Sequence, residues 1–271
     1  DTANFILVYP QALEDPGDGG STNWMHKEPT NHDDIYFIEA IIDELSLMYS
    51  IDNNRVYACG YSLGGIFSYE LACRLNNRIA AIGTVAGAAF VGAFDNCNLS
   101  HPTAVLSIPG TNDQTHPYND LNGWYYSVSE INNYWATYNN TDPLPLVTQL
   151  PDLSSSDGST VERYSWINGT GCVSVEELKI IGGDHDWPSP LNSFANQDIN
   201  ANVELWNFLS KFDMTGLIFC NSTNQIDFDI VNSKSLIRIV DILGKETTPH
   251  TNQLFFHIYD DGTVEKRTII E

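Results

Sequence analysis

A serine between two glycines, at the junction of a strand-like and a helix-like segment, constrains the fold of this 271-residue chain more than any other feature. The apolar run Arg55–Cys59 leads into Gly60-Tyr61-Ser62-Leu63-Gly64, and a helix-like stretch follows from Ile66 to Leu75. Glycine is favoured beside the serine because so sharp a turn leaves little room for side chains. The order strand, tight turn, helix predicts an α/β fold with a parallel sheet and with Ser62 exposed at the turn.

A serine hydroxyl becomes a useful nucleophile only when a neighbouring base takes its proton. Where a serine occupies such a turn, an acid and then a histidine follow it along the chain. Two later strand-like runs end in suitable residues, since Thr103–Ile108 leads to Asp113 and Leu178–Ile181 leads to His185. The carboxyl ends of parallel strands meet at one edge of a sheet. We therefore predict Ser62 as nucleophile, Asp113 as acid and His185 as base.

Each of these assignments has an alternative. The pentapeptide is also compatible with an ordinary strand-to-helix turn, and Asp113 with plain turn chemistry, in which case Asp120 is the fallback acid. Of the seven histidines, only His185 combines the expected chain order with a loop directly after a strand. Asp184 and Asp186 flank it, but an adjacent residue rarely reaches the ring from the side that an orienting acid needs.

Five stretches of the chain carry a family resemblance: Phe5–Pro10, Asp33–Ile38, Arg55–Gly65, Gly110–Asp113 and Gly182–Pro188. In these stretches, and in their order, residues 1 to about 211 resemble the secreted esterase family that includes polyhydroxybutyrate depolymerases, feruloyl esterases and acetylxylan esterases. The resemblance implies an α/β-hydrolase fold and a serine esterase that forms an acyl-enzyme on hydroxycinnamate (feruloyl) esters. A plant cell-wall phenolic ester or a polyester is then the expected substrate, with polyhydroxyalkanoate or acetylxylan hydrolysis as alternatives.

Hydrolysis would require donors for a developing oxyanion, and the backbone N–H of Leu63 is the expected first donor. The family takes its second donor from a His-Gly segment after an early strand, and no His-Gly pair occurs in this chain. The strand-like run Phe5–Tyr9 corresponds to a middle strand of the fold, so we expect the first strands to be missing from this stretch of sequence. A non-catalytic binding protein with a vestigial Ser62 is the alternative of another functional class.

Four aromatic residues are candidates for the substrate pocket, because flat aromatic faces suit a phenolic acid or a polyester segment. They are Trp187, Trp24, Tyr61 and Tyr36. The alternative for each is packing in the core.

The cysteines and the charge indicate the compartment and the partners. The family resemblance implies a disulfide between Cys73 and Cys97, which agrees with secretion into an oxidising compartment, whereas Cys172 and Cys220 are left unassigned. With 12 Lys and Arg against 35 Asp and Glu, the net charge of −23 disfavours nucleic acid as a partner. No apolar run is long enough for a membrane span. Without a CxxC pair or a Cys/His cluster of zinc spacing, neither a metal nor another cofactor is predicted.

The sequence pattern changes after residue 212, which predicts an α/β domain over 1–212 and a small all-β sandwich over 213–271. Its expected strands include a tight hairpin through Asp261-Gly262. Two segments, Ile239–Glu246 and Tyr259–Arg267, closely resemble the C-terminal sorting domain of the type IX secretion system of Bacteroidetes, which implies the secretion machinery as a partner. A carbohydrate-binding or spacer sandwich is the alternative. The expected strands are Leu217–Phe219, Ile226–Ile230, Leu236–Val240, Leu254–Tyr259 and Val264–Ile270.

Overall fold

The computed structural model describes residues 5–15, 19–24, 33–95, 97–119, 123–220, 236–241, 244–248, 254–259 and 264–268. The chain forms two compact units, residues 1–220 and 221–271. The boundary lies beyond the predicted one at 212/213 because Phe212–Asp213 pairs with Gly216–Leu217, and because a disulfide joins Cys220 to Cys172. Of the expected strand Leu217–Phe219, only Leu217 lies in a strand, the two-residue strand Gly216–Leu217 of the first unit.

Strands and helices alternate along the first unit, which confirms the α/β class. In chain order the elements are β1 (Glu14–Asp15), β2 (Ser21–Thr22), α1 (Asp33–Met48), β3 (Tyr57–Tyr61), α2 (Leu63–Arg74), β4 (Ala81–Val85), β5 (Ala104–Ile108), α3 (Val128–Asn139), β6 (Leu146–Gln149), β7 (Thr160–Trp166), β8 (Val175–Ile181), α4 (Ala201–Leu209), β9 (Phe212–Asp213) and β10 (Gly216–Leu217). Among these described helices, none has the length and apolar character needed to cross a membrane.

In the described residues, a six-stranded sheet in the order β3-β4-β5-β8-β7-β6 forms the centre of this unit. Strands β3, β4, β5 and β8 are parallel, but β7 runs antiparallel to β8 and β6 antiparallel to β7. The prediction of a parallel sheet is therefore only partly right. Parallel neighbours need a crossover connection of a dozen or more residues, and the short segment 167–174 between β7 and β8 allows only an antiparallel return.

The strand expected over Phe5–Tyr9 is wrong, because the structure assigns no strand to these residues. All five side chains are exposed, with Tyr9 at 85%, and the ring of Phe5 lies 4.5 Å from that of Trp206. Within the described residues, β3 ends the sheet and pairs only with β4. An extended apolar run becomes a strand only when its backbone groups form hydrogen bonds with a neighbouring strand. The β propensity of the run does not supply that neighbouring strand.

The two faces of the sheet carry separate hydrophobic clusters, as alternating side chains along a strand require. Val105 of β5 packs in the cluster that contains residues of α1, α2 and α3, including the fully buried Trp135. The neighbouring Leu106 packs in the other cluster, with Leu205 and Phe208 of α4. Helices thus cover both faces and leave the ends of the strands accessible, which is where the candidate site lies.

The described residues of the second unit form three antiparallel strands in the order β11-β12-β13, namely β11 (Leu236–Val240), β12 (Leu254–Tyr259) and β13 (Val264–Thr268). β11 and β12 coincide with two of the expected strands, and β13 covers Val264–Thr268 of the expected strand Val264–Ile270, whose last two residues lie outside the described residues. The expected strand Ile226–Ile230 and the turn at Asp261-Gly262 lie outside the described residues, so the β-sandwich stays a prediction.

Candidate active site

The serine of the glycine motif lies in the turn between β3 and α2. Ser62 has φ 55° and ψ −119°, a backbone conformation that residues other than glycine rarely adopt. A Cβ at Gly60 would clash with the backbone of Gly64, and a Cβ at Gly65 would lie 2.8 Å from the Cα of Gly87. The glycines therefore allow a turn so tight that the serine projects from its apex.

The structure brings the three predicted residues Ser62, Asp113 and His185 together at the carboxyl ends of β3, β5 and β8. Ser62 Oγ lies 2.9 Å from His185 Nε2, and His185 Nδ1 lies 2.7 Å from Asp113 Oδ2. The side chain of Asp113 is 1% exposed and that of His185 is 18% exposed. This arrangement is a continuous hydrogen-bonded chain from a buried carboxylate to a partly buried hydroxyl. The fallback acid Asp120 lies outside the described residues.

The carboxylate of Asp113 is held in one orientation by its own loop. The backbone N–H groups of Thr115 and His116 both donate to Oδ1, each over 2.8 Å. Oδ2 is left to accept from Nδ1–H of His185. With its proton on Nδ1, the imidazole presents the lone pair of Nε2 to Ser62, which is the tautomer that a general base needs.

Close backbone contact joins the loops after β5 and β8. The N–H of Asn112 donates to the carbonyl oxygen of Gly183 over 2.8 Å. A Cβ at Gly110 would clash with the carbonyl oxygens of Gly183 and Asp184. The absence of a side chain at Gly110 therefore lets the acid and the base lie within hydrogen-bonding distance.

Tyr61 lies beside the imidazole, whereas Trp187 is partly buried and packs against Tyr61 and the core cluster that contains Leu205. Their use as substrate-binding residues stays a prediction. The hydroxyl of Tyr61 donates to the carbonyl oxygen of His185 over 2.7 Å, and the two ring centroids are 5.2 Å apart. Trp187 meets Tyr61 edge-on at 6.2 Å. Trp24 instead stacks on Phe67 at 4.4 Å and packs against the core. Trp24 is therefore a core residue and not part of the predicted substrate pocket.

His116 also belongs to this cluster, and sequence reasoning missed it. Its ring is 5.1 Å from the ring of His185, at right angles to it, and its Nδ1 lies 2.8 Å from the carbonyl oxygen of Ala86. Burial lowers the pKa of His116, which favours the neutral ring. On its far side, the ring of Tyr125 lies 5.2 Å away and stacks on Phe90. No motif marks His116, because the contacts that define it are remote in sequence.

Leu63 is the first residue of α2. The first N–H groups of a helix have no acceptor within the helix, and they carry its positive dipole end. The N–H of Leu63 is therefore placed beside the Ser62 hydroxyl in a setting that favours negative charge. Its use as an oxyanion donor stays a prediction.

Two disulfides stabilise the first unit. One joins Cys73 of α2 to Cys97, the pair that the resemblance implied, and the other joins Cys172 to Cys220. In the part of the chain that the structure describes, no group of three or more His, Cys, Asp or Glu residues is arranged to hold a metal ion.

Several curated esterases are similar to this chain, although no protein-family model matches it. The bifunctional acetylxylan esterase/xylanase XynS20E of Neocallimastix patriciarum is 26% identical over 216 residues, 80% of this chain and 28% of that protein. Feruloyl esterase D of Neurospora crassa is 27% identical over 196 residues, 72% of this chain and 60% of that protein. Feruloyl esterase C of Emericella nidulans is 28% identical over 182 residues, 67% of this chain and 57% of that protein.

The chain spans less than two thirds of the length of each of these relatives. Since all three are named as esterases, the similarity supports a carboxylic ester hydrolase.

Proposed function

We propose that this protein is a secreted serine carboxylic-ester hydrolase of the α/β-hydrolase fold that acts through an acyl-enzyme on hydroxycinnamate (feruloyl) esters. One observation carries the proposal, namely the chain of hydrogen bonds from Asp113 through His185 to Ser62, at 2.7 and 2.9 Å. A base that is itself oriented by a buried acid is what activates a serine hydroxyl.

In the proposed acylation, Ser62 Oγ attacks the carbonyl carbon of the ester while its proton passes to Nε2 of His185. Asp113 stabilises the imidazolium that forms. The N–H of Leu63 donates to the oxyanion of the tetrahedral intermediate, where preorganised donors are most effective. His185 then gives its proton to the leaving alcohol oxygen as the bond from carbon to that oxygen breaks, and the acyl group stays on Ser62.

Deacylation repeats these roles with water as the nucleophile. His185 takes a proton from water, the resulting hydroxide attacks the acyl carbonyl, and the proton returns to Oγ as the acid leaves. The exposed ring of Tyr61 beside His185, with Trp187 edge-on to it, supports an aromatic acyl group, because such groups bind against flat aromatic faces. The names of the two feruloyl esterases support the same choice.

Acetylxylan hydrolysis is the second candidate. The observation that favours it is the similarity to the acetylxylan esterase/xylanase, which extends over 80% of this chain. Polyhydroxyalkanoate hydrolysis rests on the sequence resemblance alone.

Hydrolysis of p-nitrophenyl acetate by the purified chain, compared with Ser62→Ala, tests the enzymatic proposal. We expect turnover in the wild type and its loss in Ser62→Ala, with Ser46→Ala on α1 as a control that keeps wild-type activity. Equal turnover by the wild type and Ser62→Ala would end the proposal, and binding of the substrate without turnover would favour the non-catalytic alternative. Methyl ferulate, acetylated xylan and a short hydroxybutyrate oligomer then identify the substrate, and we expect methyl ferulate to give the highest kcat/KM.

Secretion is a further part of the proposal. The two disulfides of the first unit support an oxidising compartment. The resemblance of the C-terminal segment supports export through the type IX system. In a bacterium that has this system, removal of residues 221–271 is expected to abolish export of the enzyme, and export at the wild-type level would contradict a sorting role.

A further inference from the structure

We infer that His116 is a positioning residue for the proposed catalytic base, because it contacts the loop of the acid, the turn after β4 and the ring of His185. This inference rests on the proposed function and assigns a role to a residue that lies outside the Ser62, Asp113, His185 set. Three independent contacts support it.

The first contact is with the acid. The backbone N–H of His116 donates to Oδ1 of Asp113 over 2.8 Å, beside the similar bond from Thr115. These bonds keep Oδ2 directed at His185. The position of His116 is thus tied to the position of the carboxylate.

The second contact is with the turn after β4. Nδ1–H of His116 donates to the carbonyl oxygen of Ala86, which has φ 47°, a left-handed conformation that is unfavourable for alanine. Immediately before it, the carbonyl oxygen of Val85 accepts from the N–H of Ser62 over 2.9 Å. A displacement of Ala86 would therefore change the position of Ser62.

Gly87, the residue after Ala86, also links the turn after β4 to the segment around Ser62. Gly87 lies so close to Gly65 of α2 that a Cβ on Gly87 would be 3.0 Å from the Cα of Gly65. The left-handed turn that His116 holds is thus packed directly against the start of the helix that follows Ser62.

The third contact is with the base. The rings of His116 and His185 meet edge to face, with centroids 5.1 Å apart, which is within the range of favourable aromatic pairs. His185 also contacts Tyr61, so two rings restrict its rotation. His116 is only 7% exposed, and burial lowers its pKa, which keeps positive charge away from the ring that must accept a proton.

Two substitutions separate the hydrogen bond from the ring contact. His116→Asn places an amide N–H where Nδ1–H lies but removes the ring, whereas His116→Phe keeps a ring and removes the donor. The matched control is His101→Asn, since His101 also hydrogen-bonds backbone carbonyl oxygens, those of Pro102 and Asn76. The assay is steady-state hydrolysis of p-nitrophenyl acetate, with the concentration of functional enzyme determined by fluorophosphonate titration.

A positioning role predicts that kcat changes and KM does not. We expect kcat to fall about 10- to 100-fold in His116→Phe, because small displacements of reacting groups have effects of this size. His116→Asn should recover most of that loss, and His101→Asn should have wild-type kinetics. If His116→Phe does not fold, His116→Gln replaces it, since its longer side chain cannot put the amide at the Nδ1 position.

Three results would overturn the inference. An unchanged kcat in His116→Phe would leave the residue no part in catalysis. A raised KM with unchanged kcat in both variants would assign His116 to substrate binding, and a lowered melting temperature with normal kcat would assign it to stability alone. A wild-type protein that neither hydrolyses the ester nor reacts with the fluorophosphonate would instead refute the proposed function, and the inference with it.

Discussion

Replacement of Asp113 by asparagine tests the proposed tautomer of the base. The carboxylate accepts three hydrogen bonds, from the N–H groups of Thr115 and His116 at Oδ1 and from Nδ1–H of His185 at Oδ2. In Asp113→Asn, the amide oxygen keeps the two backbone donors, so the amide nitrogen must face Nδ1 of His185. Two donors then oppose each other unless the imidazole proton moves to Nε2.

A proton on Nε2 points at Ser62 Oγ, and the ring can no longer accept the proton of the hydroxyl. For a triad, loss of this tautomer lowers kcat about 10⁴-fold, which corresponds to about 5 kcal/mol of transition-state stabilisation. We therefore expect Asp113→Asn to lose about four orders of magnitude in kcat/KM for p-nitrophenyl acetate while remaining folded.

A matched control is provided by Asp198, which is also buried and also accepts from two backbone N–H groups, those of Leu153 and Ser154. Asp198→Asn removes a similar carboxylate without touching the base, so its kcat/KM should stay within the wild-type order of magnitude. Thermal unfolding of both variants separates loss of structure from loss of function. The reasoning would be refuted if folded Asp113→Asn kept more than about a tenth of the wild-type kcat/KM.

Three further predictions concern stability. Cys172→Ser opens a disulfide between residues 48 positions apart, so the free energy of unfolding of the first unit, measured in urea, should fall by up to about 4 kcal/mol; no loss would mean that this link does not restrain the unfolded chain. Gly65→Ala places a Cβ 2.8 Å from the backbone of Gly87, and we expect a loss of about 1–3 kcal/mol together with reduced activity, which unchanged unfolding and turnover would contradict. Burial raises the pKa of Glu177 above its value of 4.5 in the unfolded chain, so its stabilising contribution is complete below that pH and is lost as the pH rises through the folded-state value. As the pH rises above 4.5, Glu177→Gln should therefore lose less stability than the wild type, and parallel curves of the free energy of unfolding against pH would show that Glu177 does not cause the difference.

The sequence allowed the α/β class and the Ser62, Asp113, His185 set to be predicted, because local rules determine both. A turn as sharp as that at Ser62 needs glycines next to it, and the residues after β5 and β8 must meet at one edge of the sheet. These are constraints on short segments, and chain order supplies the rest.

What could not be predicted depends on contacts between distant segments. The apolar run Phe5–Tyr9 has the composition of a strand but has no neighbouring strand in the described residues. The local sequence pattern does not show whether a neighbouring strand is present. Trp24 fits a pocket or a core equally well until its stacking on Phe67 is known. His116 carries no motif, since its importance comes from a hydrogen bond to Ala86, 30 residues earlier. The pairing of Cys172 with Cys220 likewise depends on two distant segments, since Gly216 packs against Gly171 shortly before β8.

The most direct test of the account is the site at which a fluorophosphonate, which phosphonylates activated serines, reacts with the protein. Mass spectrometry of the digested wild-type protein should show one adduct on the peptide that contains Ser62. His185→Ala should abolish this labelling under the same conditions. An adduct on another residue, or equal labelling of Ser62 in His185→Ala, would contradict the claim that His185 activates the Ser62 hydroxyl.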